Sequence, residues 1–87
     1  MPDDRPTPER IPLADWLKDL ADSLELPEGV TEEEQTALLD IARIAAHTSE
    51  RVAAPITTFM AGIACAKLPP TERGAALRSL ADQLEPK

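Results

Sequence analysis

The stretch Arg51–Leu68, RVAAPITTFMAGIACAKL, decides the fold. From Val52 to Ala66 it carries no charge at all. Pro55 must break or kink any helix running through it, because it lacks an N–H and its ring clashes with the preceding turn. A first helical position tolerates proline, so the spacing predicts a helix from Pro55 to about Lys67. Ile56, Phe59, Met60, Ile63 and Ala64 line one side of that helix, while Ala54, Thr58, Ala61 and Cys65 line another, with Gly62 nearby. A helix apolar on most sides is expected at the buried centre of its domain, where small residues let neighbouring backbones approach. The segment is too short to span a bilayer.

Immediately upstream, TEEEQTALLDIARIAAHTSE (31–50) opens with the capping-box pattern Thr31-x-x-Glu34, and its glutamates favour the positive end of a helix dipole. Leu38, Ile41, Ala45 and Thr48 form one stripe, widened by Ala37, Ala42 and Ile44. Further upstream, LADWLKDLADSL (13–24) sets Leu13, Trp16, Leu17, Leu20 and Leu24 on one helical face. LPEG (26–29) ends that helix. Downstream, Pro69-Pro70 closes the central segment, and TERGAALRSLADQL (71–84) presents Leu77, Leu80, Ala81 and Leu84, leaving Glu72, Arg73 and Asp82 solvated. No segment alternates with period two, so no sheet is expected. The fold class read from these periods is all-α: a compact four-helix bundle over residues 11–85, with helices at about 13–25, 31–50, 55–67 and 71–84. Residues 1–10 (MPDDRPTPER), rich in proline and charge and poor in apolar material, read as a flexible, disordered arm.

Composition narrows the function classes. Sixteen acids against nine bases give a net charge of −7 over 87 residues. Such a field repels phosphate backbones and anionic lipid, and Trp16 and Phe59 are too few aromatics for a base-stacking platform, so neither nucleic acid nor membrane is an expected partner. No apolar segment flanked by basic residues opens the chain and no run of about 20 apolar residues exists, so a cytoplasmic, soluble protein is expected. The single cysteine, Cys65, excludes an intramolecular disulfide, and with one histidine it cannot complete a four-ligand zinc site. At this size a single core is thin, and many small scaffolds need a partner subunit, which motivates an expected homodimer.

Catalytic chemistry fails on inventory. A Ser–His–Asp triad would need His47 as its base, and Ser23, Ser49 and Ser79 lie in helical or helix-end contexts with no strained turn to activate them. Cys65 has no nearby charge in sequence and reads as a buried structural thiol. Gly29, Gly62 and Gly74 stand apart, so no glycine-rich loop cradles phosphate. Glu32, Glu33 and Glu34 diverge around a helix axis and read as helix-start electrostatics, not as a metal site. No enzyme activity, no cofactor and no metal is expected.

One arrangement stands out. Arg43, His47 and Arg51 are spaced i, i+4, i+8, a positive stripe in an acidic protein. Four residues later Pro55 opens the predicted helix, whose first free amides would be Ile56, Thr57 and Thr58, and helix N-termini attract anions. His47, Arg51, Thr57 and Thr58 are therefore the candidate anion or interaction site. The plainer alternative has Arg43 paired with Asp40, His47 with Glu50 or a carbonyl, and Arg51 capping the end of its helix. Trp16, at the centre of its apolar face, reads as core, with a partner-binding anchor as the alternative. Trp16, Pro55, Phe59 and Gly62 are assigned structural roles.

The stretch AHTSERVAAPITTFMAG (46–62), preceded by LADWLKDLADSL (13–24), resembles a small actinobacterial all-helical domain of unknown function. The most specific part is His47-x3-Arg51-x3-Pro55-x-Thr57-Thr58-Phe59-x2-Gly62. That domain occurs alone or fused behind a nucleotidyltransferase similar to the molybdopterin guanylyltransferase of molybdenum-cofactor synthesis. Its members often carry a proline directly after the arginine, where this chain has Val52, which makes the loop less rigid here. The resemblance implies an accessory, protein-interaction role in molybdenum-cofactor (molybdopterin guanine dinucleotide) biosynthesis, with a nucleotidyltransferase or molybdoenzyme-related protein as partner. The alternative is a module binding a small anion or nucleotide at the Arg51 junction.

Overall fold

The computed structural model describes residues 10–86, and the expected arm at 1–10 falls almost wholly outside them. Four helices follow in order, with no strand among the described residues: α1 (Leu13–Ser23), α2 (Glu32–Thr48), α3 (Ala53–Cys65) and α4 (Pro70–Leu84). This is the all-α, four-helix architecture that the sequence periods predict.

Helix starts and stops have local causes. At the head of α2 the Thr31 hydroxyl accepts from the Glu34 N–H at 3.1 Å, and the Glu34 carboxylate accepts from the Thr31 N–H at 2.8 Å. Two orphan donors are satisfied reciprocally. Helix α4 opens with Pro70 in its first turn, where a missing N–H removes no helical bond. Helix α3 begins at Ala53, two residues before the expected start. Pro55 then falls within the first turn, among the amides that have no intrahelical acceptor, so the helix loses nothing by containing it.

The end of α1 is a left-handed turn. Leu26 N–H donates to the Ala21 carbonyl at 2.8 Å and Glu25 N–H to that of Asp22 at 3.2 Å, with Glu25 at φ 56°. These are the paired bonds of a Schellman motif, with glutamate in the position glycine usually takes. A second left-handed residue, Gly29 at φ 57°, turns the chain into α2.

Helix α2 is the hub of the packing and contacts both α3 and α4, which touch each other much less. Its Ala37, Ile41 and Ile44 are buried, as are Ala61 and Cys65 of α3 and Leu77 and Ala81 of α4. Leu38, Leu68, Ala76 and Leu80 are partly buried against this core. Ile41 is its largest fully buried side chain. Four of the seven buried apolar residues are alanine or cysteine, so the core removes little area per residue from water.

Two expectations about the core are corrected here. The central helix is α2, not α3. It is the small-residue side of α3 that packs on α2, while Ile56, Phe59, Met60 and Ile63, expected inside, are exposed. Short side chains let α3 approach α2 closely, and that choice of face turns the bulky ones outward. Trp16 is likewise not core within one chain: it is 49% exposed, and α1 has no buried residue. No Cα of α1 comes within 8 Å of a Cα in another helix. No helix among the described residues is long and apolar enough to cross a membrane.

Candidate docking groove

An open groove of about 800 Å³ runs between the α1–α2 turn, α2, α3 and the start of α4. The turn contributes Leu26, Pro27 and Val30, and α2 contributes Leu38. Helix α3 supplies Pro55, Phe59, Gly62 and Ile63, a stripe at helical spacing continued by Ala66 just past its end, and α4 supplies Leu77. Gly62 leaves the wall open, since a Cβ built there would meet nothing within 4 Å. Phe59, 70% exposed, stands beside that opening.

The charged groups of the groove are Glu28 at its rim and one closed network. Glu34, only 2% exposed, accepts from Arg73 Nε at 2.8 Å, and Arg73 Nη2 donates to the Gly29 carbonyl at 3.2 Å. With the Thr31 amide on its other oxygen, the carboxylate is fully engaged, and no buried side-chain polar atom among the described residues lacks a partner. Arg73 thus ties α4 to α2 and to the α1–α2 turn. Its expected solvated role is corrected: the side chain is 25% exposed, and its guanidinium pairs with the buried Glu34. Sequence reasoning missed this pair because its members are 39 positions apart and neither helix alone shows the need.

The predicted anion site is built differently from the expectation. With α3 starting at Ala53, the amides of Ile56, Thr57 and Thr58 are already inside the helix. The amides of Ala53 and Ala54 donate to the carbonyls of Glu50 and Arg51 at 2.8 and 3.2 Å, and Pro55 has none to offer. The Thr58 hydroxyl donates to the Pro55 carbonyl at 3.0 Å, and Thr57 is half-buried. His47 and Arg51 are exposed at the end of α2 and in the following turn. Arg43 is drawn away to the α2–α4 seam, with Glu85 at 3.4 Å and Asp40 at 4.0 Å. Beside it Arg78 pairs with Asp40 at 2.8 Å. The early start of α3 therefore takes the amides of Ile56, Thr57 and Thr58 into helical bonds, while the side chains of His47 and Arg51 stay exposed.

Of the residues given structural roles, Pro55, Phe59 and Gly62 lie together along the groove, and Trp16 stands on the exposed face of α1. Cys65 is buried between α3 and the core as a free thiol, and no cluster of metal-ligating side chains occurs among the described residues.

Fold and groove together define a small all-helical domain with an open apolar cleft on its surface. The chain matches the domain of unknown function DUF6457 over residues 8–86 and belongs to that family. No curated protein and no solved structure matches it.

Proposed function

We propose that this chain is a non-enzymatic docking domain that receives an apolar helix in the groove beside α3. The observation that carries this reading is the exposed apolar side of α3, where Phe59 and Ile63 line the groove and Ile56 and Met60 lie outside its lining, all 59% exposed or more. Largest apolar patches on monomers are typically about 300–600 Å² and often functional, and bulky side chains rimming a cleft suit helix-in-groove recognition. The polar groups inside the cleft are engaged with one another, which supports binding over proton-transfer chemistry.

We place this docking role in molybdenum-cofactor biosynthesis, an assignment supported by the resemblance of residues 13–66 to a domain found fused behind a nucleotidyltransferase. In that reading the partner protein is the nucleotidyltransferase or a molybdoenzyme-related component. Affinity capture from the native host with the wild-type chain and with Phe59→Asp tests both parts. A molybdopterin-guanylyltransferase-like protein enriched on the wild-type chain and lost with the variant is the expected result. Equal recovery on both chains would sink the groove reading.

A further inference from the structure

We infer that the groove is filled by helix α1 of a second copy of this chain, so that two chains exchange α1 helices across a two-fold axis. The inference rests on the reading of the groove as a helix-docking surface and names what occupies it while the partner protein is absent.

Each chain carries both halves of such an interface. Helix α1 presents Leu13, Trp16 and Leu20, continued by Leu24 at its C-cap, all at least 37% exposed, and no other helix among the described residues packs against it. Along the groove α3 presents Pro55, Phe59, Gly62 and Ile63, with Leu26 and Val30 of the α1–α2 turn also in the wall. At about 1.5 Å per residue the two helices are roughly 16 and 20 Å long, so one lies along the other without overhang.

Area favours a second copy over a single short peptide. Eleven large apolar side chains on α1, the turns and α3 are exposed, at roughly 100 Å² each, on the order of 1,000 Å² in total. A stable dimer needs about 800 Å² per partner. Only a reciprocal exchange covers α1 and the groove of each chain at once, and a two-fold axis makes such a contact close on itself. The chain's own α1 is held out of its groove by the bonded turn at Glu25, whose residues Leu26 and Pro27 already form part of the groove wall.

Sedimentation velocity of the full chain at high micromolar concentration tests this, with two variants that alter only exposed residues. The helix variant is Trp16→Asp with Leu20→Asp; the groove variant is Phe59→Asp with Ile63→Asp. Far-UV circular dichroism checks that α2–α4 remain folded in both. The wild-type chain is expected at twice the chain mass, and each variant as a monomer, with dimer affinity reduced at least 100-fold. An equimolar mixture of the variants should form a one-to-one species, because the intact groove of one accepts the intact α1 of the other. Trp16, the sole tryptophan, remains only in the groove variant, so its emission should shift to the blue on mixing. A wild-type chain of single mass, a helix variant that still dimerises, or a mixture that stays monomeric overturns the exchange. A wild-type monomer whose partner capture is still lost in Phe59→Asp overturns the exchange while leaving the docking reading in place; a monomer with capture unchanged overturns both.

Discussion

Arg73→Ala is the perturbation that tests most directly how the groove is held open. Arg73 bridges two elements, reaching the Glu34 carboxylate at 2.8 Å and the Gly29 carbonyl at 3.2 Å. Its side chain is 25% exposed, while that of Glu34 is 3% exposed. Removing the arginine therefore strands the more deeply buried member of the pair. Breaking a buried pair costs roughly 3–5 kcal/mol, and the quarter exposure of Arg73 lets water relieve part of that, so we expect about 3 kcal/mol. A chain of this length has a total stability of roughly 4–13 kcal/mol. The loss should lower the melting temperature by about 12–24 °C at the usual 4–8 °C per kcal/mol for small domains. Glu34→Gln keeps an oxygen for the Thr31 amide but turns an amide group toward Arg73, at a cost of about 1–2 kcal/mol. In the double variant the carboxamide has no cation to oppose, so its loss should fall short of the sum of the single losses by about 1–2 kcal/mol. Urea unfolding followed by circular dichroism measures all four corners of this cycle. An Arg73→Ala chain within about 0.5 kcal/mol of wild type, the range of an ordinary surface change, would refute the argument.

Four further outcomes follow from single positions. Ile41→Ala should cost about 2–5 kcal/mol and Ile41→Val about 0.5–1.5, read by the same unfolding curves, since Ile41 is the largest fully buried side chain among the described residues. Gly62→Ala should stabilise the chain by about 0.5–1 kcal/mol, because the added methyl meets nothing within 4 Å and improves helix propensity; a lower melting temperature would show the site to be tighter than described. Gly29→Ala, at φ 57°, should destabilise by about 1 kcal/mol, while Glu25→Gly, at φ 56°, should leave stability unchanged or raise it by less than about 1 kcal/mol in the same melts. Phosphate titration followed by amide NMR should leave Ile56, Thr57 and Thr58 unmoved, and a saturable shift at those amides that Arg51→Ala removes would restore the anion-site alternative.

Helix number, type and order were legible in the sequence because each depends on local signals. Proline pairs, the Thr31–Glu34 box and apolar spacing all act within a few residues of the position they control. The two-residue shift at the start of α3 shows the limit of that logic. Proline excludes itself from a helix interior, yet any position in the first turn satisfies it, and the sequence alone does not choose among them. That small difference decided the candidate site. Begun at Pro55, the helix would offer free amides beneath Arg51; begun at Ala53, it has bonded them already.

The groove itself was half legible. Pro55, Phe59 and Gly62 stand out in the sequence as structural positions, but nothing local in it signals the Glu34–Arg73 pair in the groove's wall. Hydropathy reports that a side chain avoids water without saying whether its own chain or another supplies the cover. For α3 the deciding fact is size. Ala61 and Cys65 fit the narrow space against α2, so Phe59 and Met60 cannot face the same way.

This division has an energetic consequence. The buried set is dominated by small residues, whereas the exposed set on α1 and α3 includes tryptophan, phenylalanine, methionine and several leucines and isoleucines. Full burial of one such side chain stabilises by about 1.5–3 kcal/mol, so covering even four half-exposed ones adds roughly 3–6 kcal/mol, comparable to the whole stability of a domain this small. A ligand that binds only the folded state raises apparent stability with concentration. Occupation of the groove and stability of the fold are then linked quantities: the melting temperature should rise with chain concentration where the occupant is a second copy. Phe59→Asp should flatten that dependence while leaving the dilute-limit melting temperature nearly unchanged, because Phe59 contributes to the interface and hardly to the core. A slope that survives the substitution would place the association elsewhere on the surface.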